Sequence, residues 1–290
     1  MNFRQSLLPN GHTIGFDDLG SERGEPFLFF HGTPASRINF RFFDADEVIR
    51  ERQLRVICPD RPGIGGSSPQ ADRTTADWAE DMELLLDELG LERVTLLAHS
   101  GGGPYALSCA AHIPQRVKAI GLVAGSPLDY GNEVEGTNAD SERFLELCAR
   151  RPAVARGLLR LMRFASFAAP DLFVRQASSI LPRCDREVME EPEMKRVFLR
   201  MVQEALRQGP AGAQQDGASM FGPWRLPLEE IGAPVLLWYG SEDRNVPPQV
   251  GEWYSEKIDD SELSLLTGEG HLSIMVRHGR SIIESLLART

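Results

Sequence analysis

The chain of 290 residues contains 42% hydrophobic and 25% charged residues, which is typical of a globular protein with one large domain. Its formal net charge of −11 argues against a nucleic-acid partner, because binding to phosphates requires a basic surface. No apolar run approaches the length of a membrane-spanning helix, so we expect no membrane span.

The cysteines and the first residues of the chain indicate the cellular compartment of the protein. The first residues lack the apolar segment of a secretory signal, and the cysteines are scattered without C-x-x-C spacing, which predicts reduced thiols. We therefore expect a cytoplasmic protein. We also expect it to be a monomer or a homodimer and to hold neither a metal nor a cofactor. The cysteines are Cys58, Cys109, Cys148 and Cys184.

The chain opens with a predicted β-hairpin. Residues Asn2–Leu8 and His12–Asp18 alternate between apolar and polar side chains around the turn signal Pro9-Asn10-Gly11. The next apolar run, Pro26–Phe30, predicts a strand that is buried on both faces.

A tight turn follows that buried strand at His31-Gly32-Thr33-Pro34. A backbone N–H at the end of this strand points into the crevice where open α/β sheets bind ligands. The backbone N–H of Thr33 is the candidate group for contact with a ligand there. We interpret His31 as a hydrogen-bonded loop histidine rather than a catalytic residue.

Leu54–Pro59 predicts another strand, followed by a loop rich in glycine and proline at Asp60–Ser68. This loop is not a phosphate cradle, because neither a lysine nor a directly following helix completes a P-loop. Thr75 is the predicted N-cap of the next helix, whose apolar side chains recur at helical spacing and predict core packing. These side chains belong to Trp78, Met82, Leu85, Leu86 and Leu89.

The most informative stretch places one serine between a predicted strand, Val94–Ala98, and a predicted helix, Tyr105–Ala111. A strand that passes into a helix through Ser100 must turn sharply, which strains the serine and exposes its hydroxyl. The residues two before and two after it, Ala98 and Gly102, are small, as such a turn requires. The pattern is typical of a nucleophile elbow.

The same letters also fit a dinucleotide-binding fingerprint, G-x-G-x-x-A, at Gly101, Gly103 and Ala106. That fold would place an acidic residue at the end of the next strand, about 20 residues on. The next predicted strand, Val117–Ala124, is followed by glycine and serine instead. A nicotinamide-dependent oxidoreductase is therefore disfavoured.

Strands and helices alternate up to residue 126, which predicts a parallel sheet with helices on both faces. Residues 128–224 contain no convincing strand, whereas strands return at Pro234–Gly240 and Glu262–Leu266. We expect one α/β domain built from residues 1–127 and 227–290, with a helical lid at 128–226.

The predicted lid is basic. Residues 141–210 carry 13 basic and 9 acidic side chains, a charge of +4, which leaves −15 for the remainder. Three arginines share one face of a predicted helix, and the simplest interpretation is a solvated basic face. A further hypothesis is that the lid binds an acidic body or attracts acidic substrates. The arginines are Arg156, Arg160 and Arg163, opposite Val154, Leu158, Leu161 and Ala165.

A carboxylate and an imidazole follow the two last strands. Asp243 and His271 would lie at the same sheet edge as Ser100, because parallel strands end together. A serine hydroxyl needs a base to take its proton, and a histidine needs a group that fixes its tautomer and stabilises its cation. Ser100, His271 and Asp243 are thus the predicted catalytic residues, with Asp129 as a less favoured alternative acid.

Five motifs together resemble the α/β-hydrolase family, in particular its capped, carboxylesterase-like serine hydrolases, over almost the full chain. The resemblance implies an eight-stranded, mostly parallel sheet with a helical cap after the sixth strand. It also implies an oxyanion hole made by the backbone N–H groups of Thr33 and Gly101. The motifs are HGTP (31–34), DRPGIGGSS (60–68), AHSGGGPYAL (98–107), GSEDRNVPP (240–248) and GEGHLS (268–273).

The chain departs from the family pattern at two places in the elbow. Ala98 replaces the usual first glycine, which is tolerable because alanine is small. Gly101 replaces a commonly bulkier residue, and we expect this to widen the space beside the oxyanion hole.

The resemblance also separates related activities. Dehalogenases and epoxide hydrolases of this fold use a carboxylate nucleophile, whereas this elbow carries Ser100. Carbon–carbon bond hydrolases usually have a tryptophan soon after the catalytic histidine, and residues 272–280 contain none. The sequence therefore predicts an enzyme that hydrolyses an ester, thioester or lactone of a small, largely apolar substrate through an acyl-enzyme. A carbon–carbon bond hydrolase and a slow-turnover ligand receptor stay open as alternatives.

Overall fold

The computed structural model describes residues 2–128, 139–222 and 224–290, and its eight strands form one sheet. The strands are β1 (Phe3–Leu7), β2 (Thr13–Gly20), β3 (Glu25–Phe30), β4 (Leu54–Pro59), β5 (Val94–His99), β6 (Val117–Val123), β7 (Val235–Gly240) and β8 (Ser261–Leu266). Their order is β1-β2-β4-β3-β5-β6-β7-β8. Only the pairs β1–β2 and β2–β4 are antiparallel, so the mostly parallel sheet is confirmed.

From β3 onward, helices lie between or after the strands along the chain. The α-helices are α1 (Asp46–Glu51), α2 (Thr75–Glu88), α3 (Gly103–His112), α4 (Ala139–Arg150), α5 (Pro152–Ala168), α6 (Pro170–Ser179), α7 (Arg183–Val188), α8 (Pro192–Ala205), α9 (Pro210–Phe221), α10 (Pro248–Lys257) and α11 (Ser273–Leu287). A 3₁₀ helix, Arg37–Phe43, precedes α1. The sequence alone led to no prediction for this 3₁₀ helix or for α1.

The hydrophobic core lies on both faces of the sheet. Strands β4 and β5 are buried along their whole length, which explains their mostly apolar sequences, and the buried Arg55 of β4 binds Asp18. One face packs against α2 and α3, through side chains such as Trp78 and Tyr105. The other packs against the 3₁₀ helix and α11, through Phe43 and Ile282. Each fully buried Leu or Phe contributes about 1.5–3 kcal/mol of transfer free energy.

The N-cap of α2 is Thr74, so the prediction of Thr75 was wrong by one residue. The Thr74 hydroxyl oxygen accepts the backbone N–H of Asp77, and the Asp77 carboxylate accepts the backbone N–H of Thr74. This reciprocal pair is a capping box, which satisfies two N–H groups that a helix start leaves open. The aspartate three residues after Thr74 is the sequence signal that identifies this cap.

Helices α4 to α9 lie between β6 and β7 in the chain, and we call this segment (139–222) the helical insertion. It packs on the rest of the protein through α8. The Ser36 hydroxyl donates to the carbonyl of Met201, and the Arg37 guanidinium binds Glu204 at 2.7 Å. The predicted lid boundaries, 128 and 226, stay a prediction.

Two arginines of the α5 face bind partners within the helical insertion, and the hypothesis that the basic lid binds an acidic body or attracts acidic substrates stays a hypothesis. Arg156 donates to the Gln214 side chain and Arg163 to the Leu206 carbonyl, and both partners belong to the helical insertion. These two arginines therefore bind neutral groups of their own segment. None of the described helices combines the length and the apolar composition needed to cross a membrane.

Candidate active site

Ser100 adopts the strained conformation that a sharp strand-to-helix turn requires. Its φ angle is +52°, in the left-handed region that non-glycine residues rarely occupy. The residue directly follows β5, and its carbonyl accepts the backbone N–H of Ser126 at 2.9 Å. A Cβ at Gly102 would lie 2.2 Å from the carbonyl oxygen of Phe30, so a side chain cannot fit there.

His271 and Asp243 form a buried hydrogen-bonded pair beyond β8 and β7. The imidazole Nδ1 lies 2.7 Å from Asp243 Oδ2, and the two residues are 7% and 5% exposed. The other carboxylate oxygen, Oδ1, accepts the backbone N–H groups of Asn245 and Val246. An ionised Asp243 therefore places the ring proton on Nδ1, which leaves the lone pair of Nε2 free to accept a proton.

The environment of His271 favours its protonated form. Burial lowers the pKa of His271, but the charge and hydrogen bond of Asp243, together with the charge of Asp185, raise it above its ordinary value. The ring is thus a stronger base than an isolated imidazole.

His99, the residue before Ser100, contacts the His271 turn. The two rings have centroids 4.6 Å apart, and His99 Nε2 lies 3.2 Å from the His271 carbonyl oxygen. Burial and the neighbouring charge of His271 lower the pKa of His99 well below its ordinary value, so the His99 ring is neutral. This contact brings the His271 turn to the start of the strained serine turn. Sequence reasoning assigned no role to His99, because its partner is 172 residues away.

Thr33 and Gly101 lie next to each other. A Cβ at Gly101 would lie 2.5 Å from Thr33 Oγ1 and 3.2 Å from Thr33 N, so the two turns touch. The expectation that Gly101 widens this space is therefore wrong, because the Thr33 side chain fills it. The close approach itself requires glycine at position 101.

A buried ion pair supports the turn at His31–Pro34. Arg61 is fully buried and binds both oxygens of Asp216, which belongs to α9 of the helical insertion, at 2.7 and 2.8 Å. The same guanidinium donates to the carbonyl oxygens of His31 and Gly32. The His31 ring is itself buried and hydrogen-bonded, in line with its interpretation as a loop histidine.

Asp216 collects further donors. It accepts hydrogen bonds from the Thr33 hydroxyl at 2.7 Å, from Arg73 at 2.7 Å and from the Tyr105 hydroxyl at 3.0 Å. Burial raises the pKa of Asp216, but the charges and hydrogen bonds of Arg61 and Arg73 outweigh burial and lower it well below its ordinary value. Asp216 is therefore a carboxylate, and it ties the helical insertion to the predicted oxyanion turn.

The remaining expectations concern the alternative acid Asp129, a metal site and the cysteines. Asp129 lies outside the described residues. Within the described ranges 2–128, 139–222 and 224–290, no group of three or more His, Cys, Asp or Glu side chains could hold a metal ion. All four cysteines are free and buried.

An eight-stranded sheet in this order, with a strained serine after β5 and an imidazole–carboxylate pair after the last two strands, is the architecture of the α/β hydrolases. The family described as alpha/beta hydrolase fold matches residues 25–277, and this chain belongs to it.

Proteins similar to this chain are named for different activities. The chain is 29% identical over 285 residues to the dihydrolipoyllysine-residue acetyltransferase component of the acetoin cleaving system from Pseudomonas putida, covering 98% of this chain and 68% of that protein. It is 27% identical over 265 residues to a 2-hydroxy-6-oxononadienedioate/2-hydroxy-6-oxononatrienedioate hydrolase from Cupriavidus pinatubonensis, covering 89% and 84%. A thermophilic esterase from Thermogutta terrifontis has the same fold, with a TM-score of 0.73, 22% identity and coverage of 100% and 99%.

We predict that Asp216→Asn destabilises the protein by about 3–5 kcal/mol, because Arg61 and Arg73 would stay buried without a counter-charge. Urea unfolding followed by circular dichroism measures the change. Asp171→Asn, an exposed aspartate of the same helical insertion, is the control and should change stability by less than about 0.5 kcal/mol. An Asp216→Asn variant as stable as the control would contradict this role.

Proposed function

We propose that the protein is a serine hydrolase that cleaves a carboxylic ester, thioester or lactone of a small, largely apolar substrate through an acyl-enzyme. Ser100 is the nucleophile, His271 the general base and Asp243 the acid that orients it. The observation that carries this proposal is the 2.7 Å contact between His271 and Asp243, in a turn that contacts His99 directly before the strained Ser100.

The proposed reaction begins with proton transfer. As Ser100 Oγ attacks the acyl carbonyl, its proton passes to His271 Nε2, and Asp243 stabilises the imidazolium through Nδ1. The acyl C–O or C–S bond then breaks, and the imidazolium protonates the leaving alkoxide oxygen or thiolate sulfur, which in a lactone stays attached to the acyl group. Water attacks the acyl-enzyme with His271 again as base, which releases the carboxylic acid and restores the Ser100 hydroxyl.

The oxyanion would be bound by the backbone N–H groups of Thr33 and Gly101. Two features support this assignment: the two residues touch, and the Thr33 turn is held by the Arg61–Asp216 pair. A donor that is fixed before the reaction need not reorganise when charge develops, and one such donor is worth about 10²–10³ in kcat.

The helical insertion is the proposed lid over this site and sets substrate size. The resemblance to a hydrolase named for 2-hydroxy-6-oxononadienedioate, at 27% identity, favours carbon–carbon bond hydrolysis as the second candidate function. Against it, residues 272–280 contain no tryptophan. Ester cleavage therefore ranks first, and assays on both substrate types separate the two.

We expect Ser100→Ala to lower kcat for a short-chain p-nitrophenyl ester by about 10⁴-fold or more, because the nucleophile is lost while the fold is kept. Loss of labelling by a fluorophosphonate probe gives a second readout. Ser281→Ala, an exposed serine on α11, is the matched control and should keep full activity and labelling. Retained turnover in Ser100→Ala, or a wild-type burst that stops at a persistent adduct, would reject the enzyme proposed here.

The pH dependence follows from the pKa of His271. Only the neutral ring accepts the Ser100 proton, so kcat/KM of the wild type should rise with pH through that pKa, which lies above the ordinary 6.5. Stopped assays with one ester from acid to mildly alkaline pH measure the midpoint. A midpoint below 6.5 would contradict the stabilised imidazolium.

A further inference from the structure

A fully buried carboxylate of the helical insertion holds the His271 turn. Asp185 lies in α7 and accepts three backbone N–H groups with its two oxygens. His271 donates to Oδ2 at 3.0 Å, whereas Leu272 and Ser273 donate to Oδ1 at 3.0 and 2.8 Å. Acceptance of three N–H groups favours the ionised form of a carboxylate.

The main chain of the turn is shaped around this carboxylate. A Cβ at Gly270 would lie 2.6 Å from Asp185 Oδ1, so only a residue without a side chain lets the carboxylate approach. The Gly270 N–H donates to the Ser273 hydroxyl at 2.8 Å, which closes the turn from the other side. Ser273 also begins α11, whose positive end favours a negative charge here.

We propose that Asp185 is a positioning residue for His271. It anchors the main chain at residues 271–273 from the helical insertion and thereby keeps the imidazole between Asp243 and the serine turn. This inference rests on the proposed serine-hydrolase function. It makes the helical insertion a structural part of the reaction centre and not only a cover.

The charge of Asp185 supplies a readout that a purely structural contact would lack. The groups that face the His271 ring are Asp243 on the Nδ1 side, Asp185 beneath the turn and the neutral His99. After Asp243, Asp185 is the second charge that raises the pKa of His271. Removing the charge of Asp185 therefore lowers that pKa.

The test is the pH dependence of the fluorophosphonate labelling rate and of kcat/KM for Asp185→Asn. We expect the plateau to fall by about 10-fold or more because the ring is less well placed, and the acid limb to move to lower pH. Glu187→Gln removes a charge from the same helix, where Glu187 is exposed and pairs with Arg183 and Arg277. This control should keep the wild-type plateau and midpoint.

Gly270→Ala perturbs the same contact without removing the charge. It should lower the plateau while the acid limb stays near the wild-type pH, and it keeps the test decisive if Asp185→Asn folds poorly. An active wild type whose plateau and acid limb are unchanged by both substitutions would overturn the positioning role alone. An inactive wild type, or an active Ser100→Ala, would instead overturn the proposed function.

A separate observation concerns the outer face of α5. Of the ten large apolar side chains that are exposed in the described part of the chain, seven fall between residues 154 and 180. The opposite face of α5, including Ala155 and Leu159, is the one that packs into the insertion. Clusters of exposed apolar residues mark interaction sites. The exposed residues on α5 are Val154, Leu158, Leu161, Phe164 and Phe167, and Leu172 and Ile180 belong to α6 and its C-cap.

Arginines are the charged residues beside the part of this apolar face that lies on α5, whereas the exposed Asp171 lies beside Leu172 on α6. Residues 147–170 contain five arginines and no aspartate, glutamate or lysine. Arg160 and Arg163 line an open groove of about 510 Å³ together with Phe164 and Phe167. Guanidinium groups and apolar rings are thus presented together at one surface.

We infer that the outer face of α5 binds an anionic lipid surface. An amphipathic helix with arginines beside exposed Leu and Phe lies at the boundary between headgroups and acyl chains, where both kinds of side chain are satisfied. A symmetric contact between two copies would bring the arginines of both α5 helices together, which charge repulsion opposes. Charge complementarity therefore favours lipid over a second copy.

Vesicle co-sedimentation tests this inference. The wild type should bind phosphatidylcholine vesicles that contain phosphatidylserine, bind pure phosphatidylcholine vesicles more weakly, and lose binding as salt is raised. The double variant Leu161→Ser with Phe164→Ser should bind at least about 10-fold more weakly. Leu265→Ser, an exposed apolar residue of β8, is the matched control and should bind as the wild type does.

Two results would overturn the lipid assignment. One is a wild type that ignores anionic vesicles at low salt, or a double variant that binds them unchanged. The other is a dimer, detected by sedimentation velocity without vesicles, that the double variant loses while vesicle binding stays absent. That result would assign the α5 face to a second copy of the chain.

Discussion

The ion pair between Arg61 and Asp216 joins the helical insertion to the sheet without access to water. Taking either charge alone out of water costs several kcal/mol, so neither residue can lose the other without a large penalty. The planar guanidinium also reaches the carbonyl oxygens of His31 and Gly32 while it holds both carboxylate oxygens. An ammonium group could not supply this set of directed donors. The position of the Thr33 turn thus depends on Asp216, which lies 183 positions further along the chain.

The parts of the fold that sequence reasoning predicted are those with a local physical signature. Strands buried on both faces carry mostly apolar side chains, so β4 was predicted at its observed bounds, and β5 was predicted one residue short. The turn at Ser100 was predictable because its neighbours must be small whatever surrounds them. Asp243 and His271 could be predicted to meet because parallel strands end at one edge.

What the sequence did not predict depends on contacts between distant segments. Asp185 and Asp216 lie on helices of the insertion, where an aspartate normally faces solvent, and their partners are 86 and 155 residues away. Nothing local marks a charge that will be buried. The same limit applies to α5, whose apolar Leu158 and Leu161 face outward while Leu159 faces the protein. Periodicity separates the faces of a helix, but only tertiary packing decides which face is covered.

The charges around His271 favour the imidazolium that the proposed reaction would form. Asp243 and Asp185 are both buried near the ring, and burial together with the charge of Asp243 raises the pKa of Asp185. His99 is neutral and contributes no compensating charge. Asp243 contacts the ring and Asp185 holds the main chain of its turn, so two like charges act on one imidazole. In the proposed reaction, the imidazolium that forms when Ser100 gives up its proton would relieve the repulsion between Asp243 and Asp185, so Asp185 would stabilise the charge-separated state from the helical insertion.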